Sequence, residues 1–172
     1  MSIDINVYAN EISDDLIPTI LAELNKFEMV CELHPEFSFA THGGFLPIRF
    51  RITSNTFESL ANKDLVSGFE LHVYDNDWDI DDCYSDEDRE KLQAYRKVVN
   101  FNFTGASDSF ELRFASLMSA IIANLTHGAI TDEECNVLYD GAVIMETARN
   151  LVVDDSDLTE GELEYHEFEG WH

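Results

Sequence analysis

Six apolar residues, Phe114, Leu117, Met118, Ile121, Ile122 and Leu125, step along the chain by three, one, three, one and three. That is the repeat of a single helical face. Ala115, Ala120 and Ala123 fill much of the remaining surface, and only Ser116, Ser119 and Asn124 interrupt it. A helix this apolar cannot lie on the outside of a protein. It has to be central, with other elements packed over it. The rest of the chain supplies a sheet for it to sit on. Residues 3–8, 45–52 and 98–103 alternate apolar and polar side chains, the period of a half-buried strand, and residues 27–33 and 66–74 read as further strands. A stretch from 129 to 139 reads as extended.

Four shorter helices complete the pattern. Leu16, Ile17, Ile20, Leu21 and Leu24 form one apolar stripe over residues 16–26, with Pro18 falling in the first turn, where its missing N–H does no harm. Residues 57–63, 86–96 and 141–152 are the other three. Asp108 and Glu111 stand at capping-box spacing ahead of the central helix, and Gly128 is positioned to stop it. The expected fold is α+β: one domain over residues 1–152, with a mixed or mainly antiparallel sheet of about six strands packed against two or three helices. Residues 153–172 form an acidic aromatic tail, in which Tyr165, Phe168 and Trp171 recur at a spacing of three that suits a short helix. The tail either docks on its own domain, the reading we favour, or reaches out to a partner.

The charge of this domain is extreme. Asp and Glu number 35 against 10 Lys and Arg, a net of −25 over 172 residues. The aromatic fraction of 12% sets the chain apart from disordered acidic proteins, so the acid sits on a folded body. It is also clustered. Nine acids fall within residues 75–90 and eight within residues 154–169, so 17 of the 35 occupy two short segments. A concentrated field of this sign steers basic partners and repels nucleic acid and anionic membranes. The N-terminal residues are already acidic and no apolar run approaches the roughly 18 residues of a membrane span, so neither a secretory leader nor a transmembrane helix is expected. Cys31, Cys83 and Cys135 are odd in number and far apart, which fits reduced thiols in the cytoplasm.

Motifs that carry chemistry are scarce. Asp75, Asp77 and Asp79 alternate as calcium ligands do. In the twelve-residue loop that would begin at Asp75, the sixth position is Ile80 rather than Gly and the twelfth is Asp86 rather than Glu, so the turn and the closing bidentate ligand are both missing. Cys31, His34 and His42 do not amount to the four-ligand set of a zinc site. No nucleophile elbow, phosphate-binding glycine loop or cofactor fingerprint is present. The reading is therefore of a non-enzymatic protein with no metal and no cofactor. Its binding residues are expected to be acids interleaved with aromatics, since Trp and Tyr are enriched at binding hot spots. Asp75, Asp77, Trp78, Asp79, Asp81, Asp82 and Tyr84 supply them in the loop. Glu162, Glu164, Tyr165, Phe168 and Trp171 supply them in the tail.

Residues 98–152 run strand, Ala/Leu-rich helix, the turn Thr126-His127-Gly128-Ala129-Ile130-Thr131-Asp132, then a short helix. This arrangement resembles one found in small bacterial proteins, some of them immunity proteins encoded beside interbacterial toxins. The resemblance implies a bacterial, cytosolic, non-enzymatic role and supplies no catalytic residue. With the charge, it leads to the expectation of a basic protein partner, most simply a cognate toxin whose nucleic-acid-binding cleft the acidic surface fills. The alternative is a phage-type nucleic-acid mimic that blocks a DNA-binding protein. A protein whose acidity serves only solubility is the third class.

Overall fold

Eleven of the sixteen residues of the central helix, α3 (Glu111–Thr126), are buried, so it is interior on most of its circumference. The computed structural model describes residues 2–54, 57–105, 108–155 and 162–171, without the side chains of 153–155. Phe114, Leu117, Met118, Ile121 and Ile122 are almost wholly removed from solvent, each contributing about 1.5–3 kcal/mol of burial. The start of α3 is fixed by Asp108, whose Oδ1 accepts from the N–H groups of Phe110 at 2.7 Å and Glu111 at 2.9 Å. Glu111 also reaches back to accept from the N–H of Thr104 at 3.0 Å. At the other end it is His127, at φ 52°, that takes the left-handed position closing the helix. Gly128 serves a different need: a Cβ there would sit 2.2 Å from the carbonyl oxygen of Tyr8.

α3 lies across one face of an eight-stranded sheet whose pairings are all antiparallel. The strands are β1 (Ile3–Ala9), β2 (Met29–Leu33), β3 (Gly43–Ile52), β4 (Leu65–Asp75), β5 (Lys97–Phe103), β6 (Ala129–Thr131), β7 (Val137–Leu138) and β8 (His166–Glu167). Their order is β2-β3-β4-β5-β1-β6-β7, with β8 added to β4. α1 (Ile17–Leu24) packs beside α3 and β2, and α4 (Gly141–Asp155) packs along α3 through Ile144, Met145 and Ala148. The fold is thus α+β, with every long strand antiparallel to its neighbours. Two of the expected elements shorten. The segment 129–139 is broken by a turn at 132–136 into two short strands, because Asp132 Oδ1 draws in the N–H groups of Glu134 and Asn136. Residues 57–63 hold only the 3₁₀ turn Glu58–Leu60.

Alternation along the strands gives the sheet a second, outer face. β3 turns Leu46, Ile48 and Phe50 toward α3, and Arg49 and Arg51 outward. β1 sends Val7 inward and Tyr8 outward, where Tyr8 packs with Ile80, Leu92 and Ala129 in a small second core. That core exists because residues 76–85 and α2 (Asp86–Gln93) fold back over the sheet. Asn76 fixes the fold-back by donating from Nδ2 to the carbonyls of Leu92 at 2.8 Å and Tyr95 at 2.9 Å.

A disulfide between Cys83 and Cys135 ties this fold-back to the 132–136 turn, across 52 positions of sequence. The expectation of three free thiols is corrected accordingly. Cys31 alone is free, and its burial pushes the thiol up to about 12. Spacing alone could not pair two cysteines that only the sheet brings together. The bond also removes the ground on which the cysteines argued for a reducing compartment. Cross-linking across a loop of this length should contribute about 2–4 kcal/mol. Reduction with dithiothreitol, or the double change Cys83→Ser and Cys135→Ser, should lower the free energy of urea unfolding by that amount. Equal stability of oxidised and reduced protein would show that the bond does not constrain the chain.

Candidate binding surface

The acidic loop leaves β4 at Asp75 and runs to α2. Its charge is only partly answered. Lys97 pairs with Asp75 at 2.5 Å, Arg89 with Asp82 at 3.3 Å, and Lys91 with Glu87 at 2.8 Å. Among the described residues no ion pair reaches Asp77, Asp79 or Asp81. The loop is also held by hydrogen bonds. Ser85 caps α2 by accepting from the N–H of Asp88 at 3.1 Å, Asp81 Oδ1 accepts from the N–H of Cys83 at 3.1 Å, and Gln93 donates to the carbonyl of Trp78 at 3.3 Å. Tyr139 donates to Asp88 at 2.5 Å, which holds that carboxyl below the usual range, while burial and the same carboxylate push the phenol up.

Trp78 stands out from this loop with 74% of its surface exposed. Below it is a cavity of about 300 Å³ between loop and sheet. Four aromatic residues, Tyr8, Tyr74, Trp78 and Tyr84, line it together with Asp75, Asp79 and Asp81. Tyr8, on the cavity floor, is pushed up to about 12 by burial and by its neighbour Tyr84. The structure therefore brings five of the loop's seven candidate residues to one cavity. Asp77 and Asp82 are exposed beside it rather than part of its lining. Tyr8 and Tyr74 were not among the candidates. They come from two strands far apart in sequence, and their signal was the period-two alternation that puts both on the outer face. An aromatic cavity edged by carboxylates is suited to a cation, because ring faces and carboxylates attract the same charge.

The tail lies elsewhere. Leu65 pairs with Glu167 and Val66 with His166, so β8 covers the start of β4, beyond the reach of β5. Phe168 donates its N–H to the carbonyl of Asp64 at 2.8 Å, and Ser109 and Glu164 exchange two bonds at 2.8 and 2.9 Å. Over residues 163–171 the tail is not helical, and His166–Glu167 form a strand. Its threefold aromatic spacing arises from where each ring lands. Phe168 lies under the Arg49 guanidinium at 4.8 Å, Trp171 meets Phe168 at 4.9 Å and His34 at 5.2 Å, and Tyr165 packs by Lys63. Lys63 also pairs with Glu167 at 3.2 Å. Arg49 and Arg51 both bind Asp64, at 3.0 and 2.8 Å. The Arg49 hydrogen bond, joined by Arg51, holds the Asp64 carboxyl below its ordinary range. Glu162 and Glu164 stay exposed. Asp157 and Glu160 lie outside the described residues, as do the side chains of Asp154 and Asp155.

Loop and tail thus sit at opposite ends of β4, about 30 Å apart at the rise of an extended strand. They do not form one patch. The loop keeps its aromatics and carboxylates available, whereas the tail spends its aromatic rings on its own domain. Among the described residues, no three His, Cys, Asp or Glu side chains converge as a metal ion requires, and no helix is long and apolar enough to cross a membrane. Phe168→Ala should lower the unfolding free energy by about 1–2 kcal/mol, through lost burial and lost stacking on Arg49. Urea denaturation followed by tryptophan emission reads this; a tail that stood free of the domain would give no change. No family model, curated protein or solved structure matches this chain.

Proposed function

We propose that this chain is an acidic binding protein that captures a basic protein through the Trp78 loop, and that its use is to neutralise that protein as an immunity protein neutralises a toxin. One observation carries the reading. An exposed Trp and three carboxylates with no ion-pair partner among the described residues share one loop, which covers a cavity lined by four aromatic residues. A surface Trp amid aspartates is of little use to folding, and it is well suited to a lysine- or arginine-rich cleft. The carboxylates attract the partner over distance, and the aromatic residues supply the short-range contact once water is expelled. The tail, on this reading, is scaffold. No catalytic role, metal or cofactor is part of the proposal.

The second reading, a nucleic-acid mimic, is favoured by the placement of the two acidic segments. Their described parts sit at opposite ends of β4, about 30 Å apart, as phosphates along a duplex groove are spread rather than concentrated.

The test is capture of partners by the purified, oxidised chain at about 50 and about 500 mM salt, where the Debye length falls from about 14 to about 4 Å. A single basic protein should be retained at low salt and largely lost at high salt. The triple change Asp77→Asn, Trp78→Ala and Asp79→Asn should weaken its binding at least 30-fold, the loss of a hot spot worth about 2 kcal/mol. Undiminished binding by that variant would remove the loop from the interface. Capture of several unrelated DNA-binding proteins, each displaced by duplex DNA, would install the mimic instead.

A further inference from the structure

On the other side of the sheet, the seam between α3 and α4 opens into a cavity of about 470 Å³. Its floor is Ile5, Ile130 and Leu138, and its walls include Ala120 from α3 and Ala148 and Leu151 from α4. Interiors are packed closely enough that voids larger than a water molecule are few, and this volume falls within the about 300–1,000 Å³ of ligand sites. The small side chains of Ala120 and Ala148 leave it open.

Its polar content is specific. Ser116 lines the cavity, is only 5% exposed, and its Oγ has no hydrogen-bond partner among the described residues. Thr131, also on the lining, carries a second buried hydroxyl in the same condition. Neighbouring Ser119 is satisfied by the carbonyl of Ser116 at 3.1 Å. A buried hydroxyl left unpaired in an apolar wall is destabilising unless something supplies its bond. The lining holds no Lys, Arg or His, and its one ionisable side chain, Asp132, is already taken up by the N–H groups of Glu134 and Asn136 and by Asn136 Nδ2. No charge in the cavity is free to select a charged ligand, and the net −25 of the chain repels anions.

We propose that this cavity binds a small, neutral, largely apolar molecule with one hydrogen-bonding group, which Ser116 anchors. The site is separate from the Trp78 loop and does not rest on the function proposed for it. 1-Octanol is a suitable probe, with octanoate as its anionic counterpart. In two-dimensional NMR of the oxidised full chain, 1-octanol should shift the methyl signals of Ile5, Ile130, Leu138 and Ala148 saturably, and octanoate should bind at least tenfold more weakly. Ser116→Ala should weaken 1-octanol about tenfold, one hydrogen bond's worth. Ala148→Phe should fill the groove and abolish binding. Should that variant fail to fold, Leu151→Trp, at the more exposed mouth, blocks entry without touching the core. Absence of saturable shifts, shifts centred elsewhere, octanoate binding as tight as 1-octanol, or full affinity in the Ser116→Ala or groove-filling variants would each overturn the proposal.

Discussion

The structure depends on one constraint: α3 must be covered on nearly all sides. A sixteen-residue helix with this little polar surface needs a sheet beneath it and helices beside it, and the order of the elements follows from meeting that need. β1, β4, β5 and β6 supply the floor, and α1 and α4 flank the helix. Asp108 secures its first turn and is itself half enclosed. Burial raises its carboxyl, while the N–H of Phe110, the Ser67 hydroxyl and the N–H of Glu111 pull the other way. Covering α3 commits one face of the sheet to apolar packing and leaves the other face to everything the core cannot accept.

That outer face carries both acids and cations, Asp4 and the 75–90 loop among the first and Arg49 and Arg51 among the second. At one end, the loop lies over Tyr8 and Ala129. At the other, the tail lies over Arg49. Between them is a polar strip in which Asn100 donates to Asp4 at 3.1 Å and to Asn6 at 2.9 Å, and Asn102 donates to Asp4 at 3.0 Å. The charges are handled differently at the two ends. Arg49, Arg51 and Lys63 answer the acids at the tail's end of β4. In the loop, backbone and amide donors and a disulfide join a few ion pairs, none of which, among the described residues, reaches Asp77, Asp79 or Asp81.

Much of this was legible in the sequence because it is periodic. The 3.6-residue repeat of α3 and the alternation of β1, β3 and β5 are local signals, and they placed the core correctly. What was not legible is contact between distant segments. Nothing in the spacing of Cys83 and Cys135 announces that α2 folds back beside the 132–136 turn. Nothing in Tyr165, Phe168 and Trp171 distinguishes a helix face from rings seated on Lys63, Arg49 and His34. The loop's candidate residues could be named because acids and a Trp cluster there in sequence. Tyr8 and Tyr74 could not, since their membership of the same cavity depends on strand order. The orphan Ser116 hydroxyl was visible only as a break in an apolar run.

β8 has a consequence for how the molecule assembles. Lys63 and Tyr165 are 102 positions apart, so the stretch of β4 that β8 covers stays an open edge until His166 and Glu167 have been made and have folded back. Pairings of such long separation form late, because closing the loop costs entropy before any contact rewards it. During that interval Leu65 and Val66 present bare backbone donors and acceptors, next to the arginines that will later be covered. An unpaired edge of this kind recruits strands from other molecules, and here it lies on a body whose charge keeps like molecules apart. The excess acid therefore also guards the unfinished protein against its own copies.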